Sequence, residues 1–373
     1  MLFQTPDLAE EQDVLAEIEQ LRQGLSYALR EPRRWTGRLR RVSFARAIQG
    51  SNSIEGYSVG LDDALAVADG EEPLDASEET KAALSGYREA MTYVLQLADD
   101  PYFTYGPGLI RSLHFMMLSY DLSKSPGRWR PGPIFVEDED TRQVVYEGPP
   151  AEQVPGLMDE LVEWLRSENG HALIRGAMAH LNLVMIRPFR DGNGRMARGL
   201  QTLVLTREGI LSPEFCSIEE YLGKNTPAYY EVLGEVGDGA WHPENDARPW
   251  IRFALTAHHR QAMTLLRRVR EVERLWTMLE EEREKRELPE RMIVALFDAA
   301  SGYRVTNMTY RTAADLEDWT ATTDLKRLVE SGLLESRGER RGRHYVGSKS
   351  LRDIYERSRE PRKPLEDPFE SMA

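Results

Sequence analysis

Apolar residues recur every three to four positions through most of the chain, the spacing that gives a helix one buried stripe. On this pattern residues 8–30 predict a helix. Residues 38–50 predict a second, running into SNSIEGYSVG, and after the acidic break ADGEEPLDASEE residues 81–97 predict a third. RSLHFMMLSY reads as a short helix. Helices resume at 152–167, 171–187 and 195–208, PAYYEVLGEV continues them, and a long charged helix covers 247–286. One segment breaks the period. SKSPGRWRPGPIFVEDEDTRQVVYEGPP is rich in Pro and Gly, and its two β-prone runs, PIFV and QVVY, flank a charged EDEDTR turn, so it predicts an exposed hairpin. At LPERMIVALFDAA the character changes. A short helix, TYRTAADL, DWTATTDLKRLVESGLL and then ESRGERRGRHYVGS give three helices and an Arg-rich, Gly-containing hairpin, the order of a winged helix-turn-helix domain. The tail from Glu360 is Pro-rich and polar and is expected to fray. The predicted fold class is mostly α, and no internal repeat is visible.

Length turns this string of helices into several domains, because 373 residues exceed one ordinary core. The expected division is an N-terminal helical region at 1–80, a helical core at 81–245, a connector helix at 246–287, the winged-helix domain at 288–350 and a polar tail at 351–373. The formal net charge of −14 argues against non-specific coating of nucleic acid, although a local basic patch remains compatible with it. The single cysteine, Cys216, excludes a disulfide framework and a Cys-rich metal site. The first residues, MLFQTPDLAEEQDVLAEIEQLRQ, read as an amphipathic helix rather than a secretory signal. No apolar run approaches the ~20 residues that span a membrane. The expectation is a soluble, cytoplasmic protein with no membrane partner.

Chemistry concentrates in IRPFRDGNGRMAR, residues 186–198. Gly192 and Gly194 permit backbone conformations closed to other residues, so N–H groups can turn inward as a nest at the positive end of the following helix. Arg195 and Arg198 are one turn apart and can reach one anion, and guanidinium groups suit phosphate. Asp191 offers a hard oxygen for the Mg²⁺ that travels with a polyphosphate. Phe189 is expected to anchor the loop in the core. A Gly-containing turn with surface arginines would explain a lone GNG, but not the whole set. These residues describe a di- or triphosphate site.

The run resembles the signature of the Fic family, H-P-F-x-D-G-N-G-R-x-x-R, at every fixed position but the first, where Arg187 stands for His. The resemblance extends over roughly residues 81–233. It implies an all-α Fic bundle with a β-hairpin flap and transfer of AMP from ATP to a hydroxyl side chain of a target protein, or of the protein itself. Carried onto this chain, Asp191 would hold Mg²⁺, and Gly192, Asn193 and Gly194 would bind the α- and β-phosphates. Arg195 would contact the β-phosphate and Arg198 the γ-phosphate. Ile134, Phe135 and Val136, with residues 144–146, look like the flap that would register a target by strand addition.

SNSIEG, residues 51–56, is similar to the family's inhibitory pattern [S/T]-x-x-x-E-[G/N]. In that role Glu55, followed by Gly56, would occupy Arg198, while Ser51 would fix the helix that carries it. Position 187 is where the pattern fails. The family His takes the proton from the attacking hydroxyl, which suits a group titrating near neutrality. An arginine keeps its proton and cannot. His180 is two turns earlier, about 10 Å along the axis, and reads as a packing residue. His114 and His171 show no link to the motif. Arg187 instead reads as an extra anion ligand, and the chain as a natural member with changed chemistry, an inactivated enzyme, or a different use of the site.

Two functions follow. One is a Fic-type adenylyltransferase scaffold using Mg-ATP, restrained by Glu55 and impaired by Arg187. The other is a non-catalytic nucleotide-binding regulator acting through the winged helix. There Arg337, Arg340, Arg341 and Arg343 on the wing, with Lys326 and Arg327 on the recognition helix, allow DNA binding, but acidic neighbours such as Asp324 and Glu335 dilute them and leave protein–protein contact as the other use of the domain. The charged helix at 247–286 allows a homodimer.

Overall fold

The structure, a computed structural model, describes residues 1–30, 33–138, 141–167, 170–339, 342–362 and 367–370, with the backbone alone at Pro213 and Glu214. It divides into two units. The first holds residues 1–31, 40–263 and 365–373, and the second residues 32–39 and 264–364.

In the first unit the helices are α1 Gln12–Arg30, α2 Thr36–Ile54 (from residue 40 on), α3 Leu61–Ala68, α4 Glu78–Leu97 and α5 Pro107–Leu118. The hairpin β1 Phe135–Glu137 and β2 Val144–Glu147 follows, then α6 Val154–Arg166, α7 Ala172–Ile186, α8 Asn193–Thr206, α9 Pro213–Cys216, α10 Glu219–Lys224 and α11 Thr226–Gly237. The core forms around α7 and α8. Both are buried on nearly every side, α7 mostly by apolar residues and α8 with several polar ones among them. Leu173, Met178, Leu181 and Ile186 of α7 and Met196, Leu200 and Leu203 of α8 are all fully buried. Two expectations shift here. LDDALAVA, unassigned beside the acidic break, folds as α3, capped by Gly60 and burying Ala64, Leu65 and Val67. And α2 runs through SNSI, which puts Glu55 at the helix end, where Gly56 takes φ +85°.

The hairpin pairs antiparallel, Phe135 with Glu147 and Val136 with Tyr146, with an irregularity between Val136 and Glu137. Ile134 lies just before β1, its carbonyl accepting from Gly148 N at 3.1 Å. Tyr146 is the inward residue, and its hydroxyl donates to the Met185 carbonyl at 2.8 Å, tying the hairpin to α7. Glu139 and Asp140 of the turn lie outside the described residues.

α12, Arg248–Lys285, spans the boundary between the units in sequence. The second unit continues with α13 Ile293–Ala300, α14 Asn307–Ala314, α15 Asp318–Glu330, the antiparallel hairpin β3 Leu334–Arg337 with β4 His344–Gly347, and α16 Lys349–Ser358. Three helices and a hairpin thus occur in the order the sequence suggests. Arg291 pairs with the buried Asp324 at 2.6 and 2.9 Å, so that acid is neutralised inside the unit. Arg340 and Arg341 lie outside the described residues. Residues placed in the tail start inside α16, where Leu351 and Ile354 are buried, and Glu360 is held by Arg270 rather than frayed. Among the described residues no helix is long and apolar enough to cross a membrane.

Candidate functional site

The turn between α7 and α8 is built by its own side chains. Arg187 ends α7 in the left-handed conformation (φ 47°), and Gly192 opens α8 in the same region (φ 72°). A side chain at 192 would also meet Leu118 at 2.6 Å, so glycine is required twice over. Phe189 is fully buried, as expected. Asn193 closes the loop. Its Oδ1 accepts from Phe189 N at 3.0 Å and its Nδ2 donates to the Phe189 carbonyl at 2.9 Å. The Asn193 side chain is therefore a loop clip, which leaves its backbone for any ligand. His114 does have a link to the motif, against the expectation. Its ring stacks on Phe189 at 3.6 Å, Nε2 donates to the Asp191 carbonyl at 2.9 Å, and Nδ1 accepts from Gly127 N at 2.8 Å. Burial lowers it to about 4, so it stays neutral, in keeping with one donating and one accepting nitrogen.

Arg195 and Arg198 are 1% and 2% exposed. Arg195 Nε and Nη1 and Arg198 Nη1 have no partner among the described residues, which leaves buried donors aimed at something not supplied by the turn. What Arg198 does have comes from the end of α2. Its Nε donates to Ser51 Oγ at 2.8 Å, and its Nη2 to the Ser51 carbonyl at 2.9 Å and to Glu55 Oε1 at 2.6 Å. Burial opposes the Arg198 charge, yet Glu55, together with Tyr229 and Tyr87, raises its pKa above the ordinary arginine value. Ser51 grips Arg198 directly, a closer role than fixing a helix. Glu55 reaches the start of α8 because Gly194 has no side chain: a Cβ there would lie 2.5 Å from Glu55 Oε1. A carboxylate therefore sits against the helix N-terminus, in the kind of place that favours an anion.

Arg187 is half-buried, its Nε has no partner among the described residues, and burial lowers its pKa against the pull of Glu55. It remains a cation. Arg130 clips this corner to the base of the hairpin, Nε donating to the Arg187 carbonyl at 2.8 Å and Nη1 to the Gly132 carbonyl at 2.7 Å. His180 is fully buried. Its Nδ1 meets Gln201 Oε1 at 2.7 Å and its Nε2 the Tyr229 hydroxyl at 2.9 Å, and burial lowers it to about 3. It is a packing residue, and His171 caps α7 by accepting from Leu173 N.

Asp191 accepts from Gly192 N through Oδ1 and pairs through Oδ2 with Lys124 Nζ at 2.8 Å. Burial works against its charge, but Lys124 holds it below the usual carboxylate range. Among the described residues no group of three or more His, Cys, Asp or Glu could hold a metal. One carboxylate oxygen fits a Mg²⁺ that arrives on a polyphosphate and keeps its waters, and does not fit a resident structural ion. The hairpin presents Phe135, Val144 and Val145 outward, each about half exposed, while Ile134 and Val136 are more covered.

Sequence reasoning missed Arg130, His114, Lys124, Tyr57 and Glu219. GRWR and SKSPG carry no family position quoted above, and generic residue types far apart in sequence give no local signal. Glu219 lies behind Arg198, fully buried, accepting from the Tyr87 hydroxyl at 2.7 Å and from Thr202 Oγ1 at 3.3 Å.

This cradle at the joint of two core helices, beside a small hairpin, is the arrangement of the Fic fold. The Fic/DOC family matches residues 104–205. The chain is 28% identical over 220 residues to "Protein adenylyltransferase Fic" of Nematostella vectensis, covering 57% of this chain and 46% of that one. It is 35% identical over 119 residues to the protein of the same name from Aedes aegypti, covering 30% and 21%. The chain thus spans less than half the length of these relatives. Among solved structures, a Fic family protein from Desulfovibrio desulfuricans superposes with a TM-score of 0.59 at 23% identity, covering 94% of this chain and 98% of that one. A Fic domain-containing signaling protein from Bacteroides thetaiotaomicron gives 0.56 at 22% identity, over 68% and 96%. The chain carries a Fic domain over residues 104–205.

Proposed function

We propose that this chain is a Fic-type adenylyltransferase scaffold, built to move AMP from Mg-ATP to a hydroxyl of a target protein or of itself, restrained by Glu55 and impaired at the chemical step by Arg187. The observation that carries the reading is the 2.6 Å contact of Glu55 with the buried Arg198. A guanidinium with an unpartnered Nη1 and a carboxylate lodged against Gly194 are what a phosphate site looks like when a protein group stands in for the phosphate.

In this reading the backbone of Gly192, Asn193 and Gly194 receives the α- and β-phosphates, Arg195 the β-phosphate and Arg198 the γ-phosphate. Asp191 would hold the Mg²⁺, which when bound would supply neutralising charge for the leaving pyrophosphate. Glu55 blocks the last of these contacts. A donor seated without Arg198 aims its α-phosphate poorly, and a misplacement of about 1 Å costs on the order of 100-fold in rate. Phe135, with Ile134 and Val136, lays a target backbone across the site. Arg187 cannot accept the hydroxyl proton, and the neighbouring His114 and His180 have both ring nitrogens engaged.

That last observation favours a second reading, in which the chain binds nucleotide without transfer. The readout would pass to a winged helix-turn-helix at residues 288–350, whose Lys326, Arg327, Arg337 and Arg343 are exposed toward DNA. Transfer of label from α-labelled ATP, with Mg²⁺, separates the two. The chain is compared with Glu55→Gly, Arg187→His and the double variant. Strong labelling by the double variant alone supports the transferase. ATP binding with no labelling in any variant moves the regulator ahead.

A further inference from the structure

Glu55 is not the one group that the segment after α2 lays over the cradle. Two residues on, past Gly56, the ring of Tyr57 faces the Arg195 guanidinium at 5.4 Å. The Tyr57 hydroxyl accepts from Lys124 Nζ at 3.3 Å and donates to Glu79 Oε1 at 3.1 Å. Lys124 in turn holds Asp191 Oδ2 at 2.8 Å. The hydroxyl has one proton, so the chain of contacts has one direction, Lys124 to Tyr57 to Glu79, and Tyr57 holds the ammonium on the aspartate.

We propose that Lys124 is the resident cation of the Asp191 carboxylate, kept there by Tyr57, and that a divalent cation binds only by displacing it. The inference rests on the nucleotide reading above and concerns the regulation of that same site. An ammonium at 2.8 Å covers the oxygen that Mg²⁺ must approach to about 2.0–2.1 Å. Both cations cannot share that oxygen, because like charges at contact distance repel in a half-buried site. Glu55 and Tyr57 hang from one glycine turn. A movement that frees Arg198 therefore also withdraws the ring from Arg195 and the hydroxyl from Lys124. The segment then shuts the phosphate half and the metal half of the cradle together, with Glu55 as one clasp and the Tyr57–Lys124 pair as the other.

The test is Mn²⁺ binding to the full chain saturated with a non-hydrolysable ATP analogue, read from the spin resonance signal of free Mn²⁺. Lys124→Met should tighten Mn²⁺ by about three- to tenfold, Tyr57→Phe by about twofold, and Lys124→Arg should stay near the parent value. If Lys124→Met does not fold, judged by its melting curve, Tyr57→Phe carries the same test. Unchanged or weaker Mn²⁺ binding in Lys124→Met and Tyr57→Phe, with the analogue bound, overturns the inference and leaves the nucleotide reading standing. Failure of the analogue to bind even Glu55→Gly overturns both.

Discussion

The turn at 191–198 and the helix end at Arg187 are a few residues apart, yet they are in opposite condition. In the turn every part fits the proposed anion site. Asn193 clips the loop, two glycines clear the approach, and Arg195 and Arg198 keep unpartnered donors buried beside the Glu55 carboxylate, which the proposed function puts in the place of a phosphate. At position 187 the backbone is held as firmly, by its left-handed cap and by Arg130, but the side chain is a permanent cation. In the proposed function, phosphate cradle and proton-acceptor position are thus separate parts of the site. The frame that aims residue 187 does not depend on which side chain it carries.

The largest effect follows directly. Against Glu55→Gly alone, the pair Glu55→Gly with Arg187→His should gain about 100- to 10,000-fold in initial rate of transfer from ATP, the worth of a general base. An equal rate in the two would mean that residue 187 is not where the proton goes, and the contrast would collapse. Next in size is nucleotide affinity. Releasing Arg198 in Glu55→Gly should tighten an ATP analogue by about 10- to 100-fold, the worth of one charge-assisted contact, measured by calorimetry on the intact chain. The same variant should melt lower without ligand, since it leaves a buried guanidinium less compensated.

Much of this contrast is readable in the sequence because it is local. The glycines, Asn193 and the spaced arginines sit within one run, and helical periodicity places that run between two core helices. Glu55 is different. It meets Arg198 across 143 positions, and only the likeness of SNSIEG to a known pattern connects them. Lys124, Tyr57 and His114 had no such pattern. His114 touches Asp191 across 77 positions as one buried histidine among several, and the packing that brings it there is not encoded by spacing. Short elements were lost for the opposite reason: α3 has eight residues, too few turns for its period to stand out beside an acidic stretch.

Asn193 tests how far the turn depends on its clip. Asn193→Ala removes both contacts to Phe189 and leaves a buried N–H and carbonyl unpaired, at about 1–3 kcal/mol each. Denaturant unfolding should show a loss of about 2–4 kcal/mol, and nucleotide binding should fall with it. Asn193→Asp keeps the acceptor for Phe189 N and should lose less. Full binding in Asn193→Ala would mean that the glycines alone shape the cradle.

The smallest expected effect lies behind Arg198. Burial raises Glu219 from the ordinary 4.5 to about 7, against the Tyr87 hydroxyl and the Arg198 charge, which both favour the anion. Between those two values the native chain keeps a proton that the unfolded chain has released, so stability from this group is full below pH 4.5 and is lost as pH rises through 7. His114, His180 and His258, lowered by burial to about 4, 3 and 3, give the opposite slope below 6.5. The parent alone therefore cannot isolate Glu219, and the comparison needed is with Glu219→Gln, in which the histidine contribution cancels. Between pH 5 and pH 8 the parent should lose on the order of 2–3 kcal/mol relative to that variant. A parallel pair of stability curves would mean that Glu219 is ionised throughout, so that Arg198 already has a second buried carboxylate as partner. The release of Glu55 would then cost the fold less than the contrast between cradle and cap implies.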